Sequence, residues 1–274
     1  AEYRTLELAS SGSTLTGSFN GEGVRGDREG DHLGFVAGDP AHGGYRFEAT
    51  IADDELQGRI EYPDTNDSGR RVWHPVHGRL LVEPSATPGV RSFEPVAFHN
   101  AFSADVPPAL VIRPGEVIAT STLDSGGLDR DGDPRALYGN PQTGPFFVWG
   151  AKPGDVLAVR IRALRPNRDF ADSLDGFTPR TMSLGMASRM GALGKRVRWR
   201  LDRQAGTATL EDAPAALRDY RVPMRPMLGG LGVAPDFGFA PFSAGDSGRF
   251  GVNMDYNGIV EGTTIYLPVF QPGA

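Results

Sequence analysis

Glycine and proline fill about a fifth of this 274-residue chain, 37 and 22 positions respectively, and nothing else in the sequence narrows its fold as much. In a helix interior glycine costs about 1 kcal/mol and proline about 3, whereas both set the backbone angles of tight turns. Many turns imply many short strands, so a mainly β fold with few short helices is expected. Residues 1–88 fit this reading as a β-meander, a small antiparallel sheet or sandwich. LTGSF, HLGFVAGD, YRFEATI and LQGRIEY supply strand-sized alternating runs, and NGEG, DREGD and AHGG supply the turns. The Pro- and small-residue-rich stretch PSATPGV at 84–90 reads as a linker, which divides the chain into an accessory domain, 1–88, and a second domain, 89–274.

Past the linker the texture changes to longer apolar runs such as ALVIRPGEVIATSTL and PGDVLAVRIRAL, the pattern of strands covered on both faces. RPGEVIA (113–119) and KPGDVLA (152–158) each read as a Pro-Gly turn feeding a strand. The only stretch with loosely helical Met, Leu and Ala spacing lies between about 170 and 196, and its methionines read as core filling.

The chain contains no cysteine, which excludes disulfides, thiolate metal sites and cysteine nucleophiles. With 28 basic and 34 acidic residues and a net charge of −6, general affinity for nucleic acid or anionic membrane is not expected. No run of eighteen apolar residues suggests a membrane helix. The chain opens at Ala1 on a polar stretch, as after removal of a signal peptide or a tag. Export is slightly favoured on that ground, although a cysteine-free chain is equally at home in the cytosol.

Five histidines are available, His32, His42, His74, His77 and His99. His74 and His77 in WHPVHG either share a metal or are two ordinary histidines at a strand end, the plainer reading. Asp27, Glu29 and Asp31 read as a solvated acidic turn before a calcium site. His99 opens a polar loop that runs into a buried strand, where a rigid scaffold positions side chains. TLDSGGLDRDGD (122–133) places Asp124 at a strand end beside Gly126 and Gly127, which would let a substrate approach the backbone. The DRDGD that follows reads as a surface turn more than as a calcium loop, since the glutamate closing an EF-hand is missing. AGDSGRF (244–250) contains the Gly-Asp-Ser-Gly found around trypsin-like nucleophiles, with His99, Asp124 and Ser247 in the matching order. That match is four residues long and lacks the flanking features.

From His99 onward, HNAFSADVPPALVIRPGEVI, TLDSGG, NPQTGPFFVWGAKPGDVLAVRI (140–161), RPMLGGLGVAP (225–235) and GVNMDYNGIVEGTTIYLPVFQPGA (251–274) together resemble the acetamidase/formamidase family. The resemblance implies a β-sandwich-like fold and hydrolysis of a small linear carboxamide, with release of ammonia or an amine, assisted by a divalent metal: zinc first, calcium second. Carried residue by residue, it implies His99, Asp124 and Asp255 as metal ligands, Asn100 and Asn253 as catalytic polar groups, and Gly126 and Gly127 against the substrate. One imidazole and two carboxylates form a hard nitrogen-and-oxygen donor set suited to such a metal. Two departures stand out. Gly251-Val252 replaces the family's Gly-Gly before Asn-Met-Asp, and the family's later Gly-Asp-x-His and Gln-Gly-Asp-Gly-Glu segments do not follow Ala274. The second departure leads to the expectation of a complementing second chain, through proteolytic processing or otherwise, in a homo- or hetero-oligomer. A non-catalytic binding or assembly subunit on the same scaffold is the alternative, with a serine hydrolase using Ser247 behind it.

Overall fold

The computed structural model describes residues 2–174, 182–189, 194–236 and 241–274. The fold is mainly β, as the turn-rich composition predicts. Its amino-terminal part is a seven-stranded antiparallel sheet in strict sequence order. The strands are β1 (Leu6–Ser11), β2 (Thr14–Phe19), β3 (Glu22–Glu29), β4 (His32–Ala37), β5 (Tyr45–Ala52), β6 (Glu55–Pro63) and β7 (Arg71–Arg79). Four of the six connections in the meander are two residues long, and the other two, 38–44 and 64–70, are seven. At Asn20-Gly21 and Asp53-Asp54 both residues take positive φ, the turn geometry whose twist matches that of paired strands.

Alternation along these strands sends Leu15, Phe19, Val24, Leu33, Phe35, Phe47, Ala49, Leu56 and Ile60 to one buried face. The partly buried hydrophobics that pack on this face, including Leu6, Tyr45, Ile51 and Val76, belong to the same sheet. The sheet therefore coils around its own apolar side. Phe47 is its centre, stacked on Phe35 at 4.4 Å and meeting Phe19 edge-on at 5.0 Å. On the edge strand β7, Pro75 sits where a missing N–H is tolerated. His74 and His77 stand at odd spacing on that strand and so point to opposite faces. His74 stacks on Tyr62 at 4.7 Å, and His77 meets Glu55 at 3.3 Å.

Residues 80–89 carry no regular element. Beyond them the strands are short and pair across long sequence intervals. Val90–Phe93 runs parallel to Val117–Thr120, Leu110–Ile112 parallel to Phe146–Val148, and Val156–Arg160 antiparallel to Thr264–Pro268. The twin Pro-Gly turns form as expected and share one detail. In each, the acid at the fourth position hydrogen-bonds the first residue's N–H: Arg113 N donates to Glu116 Oε2 at 3.2 Å, and Lys152 N to Asp155 Oδ2 at 3.0 Å. A second core gathers Val233, Phe250, Val252 and Leu267, with Phe102, Leu157, Ile265 and Ala274 against it.

The helical expectation for 170–196 holds for one short turn and is corrected at both ends. Phe170–Leu174 and Arg196–Asp202 are antiparallel strands of a four-stranded sheet completed by Thr207–Leu210 and Arg221–Pro223. Cross-strand chemistry decides the outcome there: Arg198 donates to both Asp172 oxygens, at 2.9 and 3.0 Å, and Trp199 Nε1 donates to Ser173 at 2.9 Å. Among the described residues the α-helix of this span is the single turn Leu184–Ala187, capped by Ser183. The rest of the helical expectation, at 175–181 and 190–193, falls outside the described residues. No described helix is long and apolar enough to cross a membrane.

Candidate functional site

Asp124 heads a five-residue loop that the next five residues repeat. Asp124 Oδ1 accepts from Gly126 N at 3.0 Å and Leu128 N at 2.9 Å, while Gly127 N donates to Asp124 O at 3.0 Å. Asp129 Oδ1 likewise accepts from Asp131 N and Asp133 N, both at 3.0 Å, while Gly132 N donates to Asp129 O at 3.2 Å. Gly127 and Gly132, at the same place in each loop, both have φ of 86°, a conformation that favours glycine. DSGGL and DRDGD are thus tandem copies of one turn. Burial pushes the Asp129 carboxyl upward, but the Asp133 and Asp131 N–H groups and Arg135 outweigh it and hold Asp129 below the usual carboxylate range. The N–H groups of Gly126 and Gly127 are spent inside the first loop. Gly127 O accepts from Arg135 N and Ala136 N.

Arg168, which sequence reasoning missed, closes the first loop from outside. Its Nη2 donates to Asp124 Oδ2 at 2.6 Å. Asp124 and Arg168 side chains keep 26% and 13% of their exposure, so the pair is largely shielded.

A second set of groups assembles around Ser243–Asp246, the segment that begins the Gly-Asp-Ser-Gly match. Asn100 O accepts from Ala244 N at 2.9 Å, Asn140 Nδ2 donates to Ala244 O at 3.1 Å, and Asn253 Nδ2 donates to Gly245 O at 3.1 Å. Ala244 is fully buried. Three asparagines from three distant blocks therefore grip adjacent residues of one loop. Asn100 Nδ2 also holds the carbonyls of Leu137 and Tyr138, at 3.2 and 3.4 Å, and Ser125 O accepts from Gly139 N and Asn140 N at 3.2 Å. The Asp124 loop and the asparagine cluster thus share the 137–140 segment.

His99 is half-buried on the strand Phe98–His99, paired with Gln142. The Gln142 carboxamide lies against Gly230, and Asp255, at φ 44°, lies against Gly229. A Cβ on Gly230 would stand 2.8 Å from Gln142 Nε2, and one on Gly229 would stand 2.9 Å from Asp255 Oδ1. The adjacent glycines thus leave room for both side chains. Gly230 pairs with Asn253, so the expected residues His99, Asn100, Asn253 and Asp255 are linked through Gln142, Gly229 and Gly230.

The three expected metal donors do not come together. Among the described residues no group of three or more His, Asp or Glu side chains is placed to hold a metal ion, and both Asp124 oxygens are engaged by loop N–H groups and Arg168. The residues present therefore do not fit a metal held by this chain alone. Ser247 stands exposed on the short strand Ser247–Gly248. Asp124 bonds Arg168 and its own loop, which is not the arrangement a Ser-His-Asp relay requires.

Beside the tandem loops lies a cleft of about 110 Å³, lined by Phe98, Ser121, Leu123, Asp129, Arg135 and Asn167 among others. Phe98 and Leu123 immediately precede His99 and Asp124. Of the missed residues, Asn140 and Gln142 carry a readable signal, since with Thr143 they are the polar members of the otherwise apolar NPQTGPFFVWG. Arg168 carries none, because its partner is 44 residues away.

A sequence model of the Acetamidase/Formamidase family matches residues 90–240. Among solved structures the chain is similar to an acetamidase from Bacillus halodurans, at 22% identity and a TM-score of 0.52, over 67% of this chain and 59% of that one. It is also similar to a γ-lactamase from Delftia acidovorans, at 19% identity and a TM-score of 0.50, over 66% of this chain and 56% of that one. At these identities the likeness is one of fold, and the chain spans less than two thirds of either protein. No curated protein matches it.

Proposed function

This chain belongs to the acetamidase/formamidase family, and on that premise we propose that it hydrolyses the C–N bond of a small, linear, non-peptide carboxamide. The observation that carries this reading is the asparagine cluster on Ser243–Asp246. Asn100 Nδ2 donates to the carbonyls of Leu137 and Tyr138, and Asn253 Nδ2 to that of Gly245, which fixes both carboxamides. Two fixed amide oxygens are suited to accept the N–H groups of another amide.

In the reaction the oxygen of water bonds to the carbonyl carbon, the C–N bond breaks, and the departing nitrogen takes a proton as ammonia or an amine. A carboxylate remains. Asn100 and Asn253 orient the amide.

A divalent metal, zinc before calcium, is proposed for the assembled protein, with His99 and Asp255 as the donors this chain brings. Residues on a second polypeptide or on a continuation of this one would complete the donor set, in a homo- or hetero-oligomer. The amino-terminal sheet, within 1–88, is proposed as an accessory to the domain that follows.

Ammonia release from formamide, acetamide and propionamide, measured on the protein in its native assembly, tests the activity. Release from at least one is expected, with kcat/KM reduced roughly ten- to hundredfold in Asn253→Ala. No release from any amide would leave the non-catalytic binding subunit as the better reading. Labelling of Ser247 by a fluorophosphonate, with loss of activity, would instead favour the serine hydrolase.

A further inference from the structure

Resting on the amide-hydrolase reading for its functional consequence, we propose that Arg168 is a positioning residue that takes the cation's place at Asp124, so that Asp124 anchors the site and does not ligate a metal. The guanidinium reaches three separate pieces of chain. Nη2 donates to Asp124 Oδ2 at 2.6 Å, Nη1 to Asp129 O at 3.2 Å, and Nε to Phe170 O at 3.0 Å. It also lies over the Phe170 ring at 4.4 Å, and the same ring carries Arg198 at 4.4 Å. Phe170 in turn touches the second loop, where a Cβ on Gly132 would stand 3.2 Å from its ring. One side chain therefore ties the first carboxylate loop, the second loop and the strand Phe170–Leu174 together.

Lone-pair bookkeeping then limits Asp124. A carboxylate offers about four acceptor positions. Oδ1 gives two to Gly126 and Leu128, and Oδ2 gives one to Arg168. A metal at the remaining position would sit a few ångströms from a shielded guanidinium, and the two positive charges would repel strongly where water screens them poorly. A planar guanidinium that already bonds the carboxylate and two carbonyls is the more stable cation there. The first loop, and through Ser125 O the 139–140 backbone beside the asparagines, is thereby held in register by an organic cation.

The test uses the full chain in its native assembly with Arg168→Met, Arg168→Lys and Asp124→Asn. Hydrogen exchange is read at the Gly126 and Leu128 amides, zinc binding by equilibrium dialysis, and kcat and KM on whichever amide releases ammonia. Arg168→Met is expected to speed exchange at both amides about tenfold or more and to lower kcat roughly ten- to hundredfold, with KM within about threefold. Arg168→Lys should recover part of both, because the charge returns without the fork, and it supplies the comparison if the methionine variant does not fold. Asp124→Asn should leave zinc stoichiometry unchanged. Loss of bound zinc in Asp124→Asn, or wild-type exchange and wild-type kcat in both Arg168 variants, would overturn the assignment. If the wild-type protein hydrolyses no amide, the hydrolase reading falls, while the exchange and zinc measurements still decide what Arg168 does.

Discussion

Gly127 and Gly132 show how much a single residue decides here. Each closes a loop whose leading aspartate fixes two N–H groups, and each does so at positive φ. A Cβ on Gly127 would also run into the Ala136 carbonyl, whereas one on Gly12, at φ 60°, would meet open space. Gly127→Ala should therefore destabilise the protein by roughly 2–3 kcal/mol and Gly12→Ala by about 1, compared through urea midpoints at fixed slope. Asn140 offers a second test at this scale. Its side chain satisfies the carbonyl of fully buried Ala244, and Asn140→Ala should cost about 1–3 kcal/mol, measured by thermal unfolding. Ammonia release should fall as well if the asparagine cluster is the substrate's seat. The turn role of Asp129 and Gly132 is legible in DRDGD, because Asx loops are local chemistry, whereas Asp124, Gly126 and Gly127 read in the sequence as site residues and not as the matching turn they form. Arg168 and the 243–246 hub are not legible, because they depend on contacts between segments far apart in the chain.

At the scale of elements, two sheets illustrate opposite degrees of legibility. The meander is written plainly, since strict alternation and two-residue turns specify partner and register at once. Its core makes a direct prediction: Phe47→Ala removes the ring shared by Phe19 and Phe35 and should cost about 3–5 kcal/mol, seen in the denaturation midpoint. The four-stranded sheet is written obscurely, because its first two strands, Phe170–Leu174 and Arg196–Asp202, flank the Met-, Leu- and Ala-spaced stretch 182–193, and the Asp172–Arg198 pair that joins them spans 26 residues. The same pair fixes a pH dependence. The Arg198 hydrogen bonds, helped by the charges of Arg198, Arg196 and Arg168, hold the Asp172 carboxyl below its ordinary value against the opposing effect of burial. A carboxyl lowered in the folded state contributes stability above its unfolded value of 3.8, and that stability is lost as pH falls through the folded value. Thermal unfolding followed from pH 6 downward should show a smaller acid loss in Asp172→Asn than in the wild-type protein. Equal losses would show that the pair contributes little.

Across the whole molecule, the amino-terminal segment reaches the second half through a side-chain contact. Tyr3 Oη donates to Asp105 at 2.7 Å, joining the residues before β1 to the loop after His99. Burial, the hydrogen bond to Asp105 and the charge of that carboxylate push the Tyr3 phenol up to about 12. A phenol raised in this way favours the folded state below its unfolded value of 10.0, and the contribution disappears as pH rises through about 12. Tyr3→Phe should lower stability by about 1 kcal/mol near neutral pH, and an ultraviolet phenolate titration of the wild-type protein should show one tyrosine ionising last. Nothing in the sequence pairs Tyr3 with Asp105, since contacts between distant segments leave no periodic trace.

The meander's nearest-neighbour order also bears on how the chain reaches its native state. Each of its strands pairs with the next one to be synthesised, so closure entropy is small and pairing proceeds hairpin by hairpin. The strand Val156–Arg160 has no such recourse. Its partner, Thr264–Pro268, arrives about a hundred residues later, and until then its backbone edge is open to the wrong neighbour. Refolding should therefore be biphasic, with a rapid phase reporting the Phe19–Phe35–Phe47 cluster and a slower first-order phase reporting arrival of the last strand, whose yield falls as protein concentration rises.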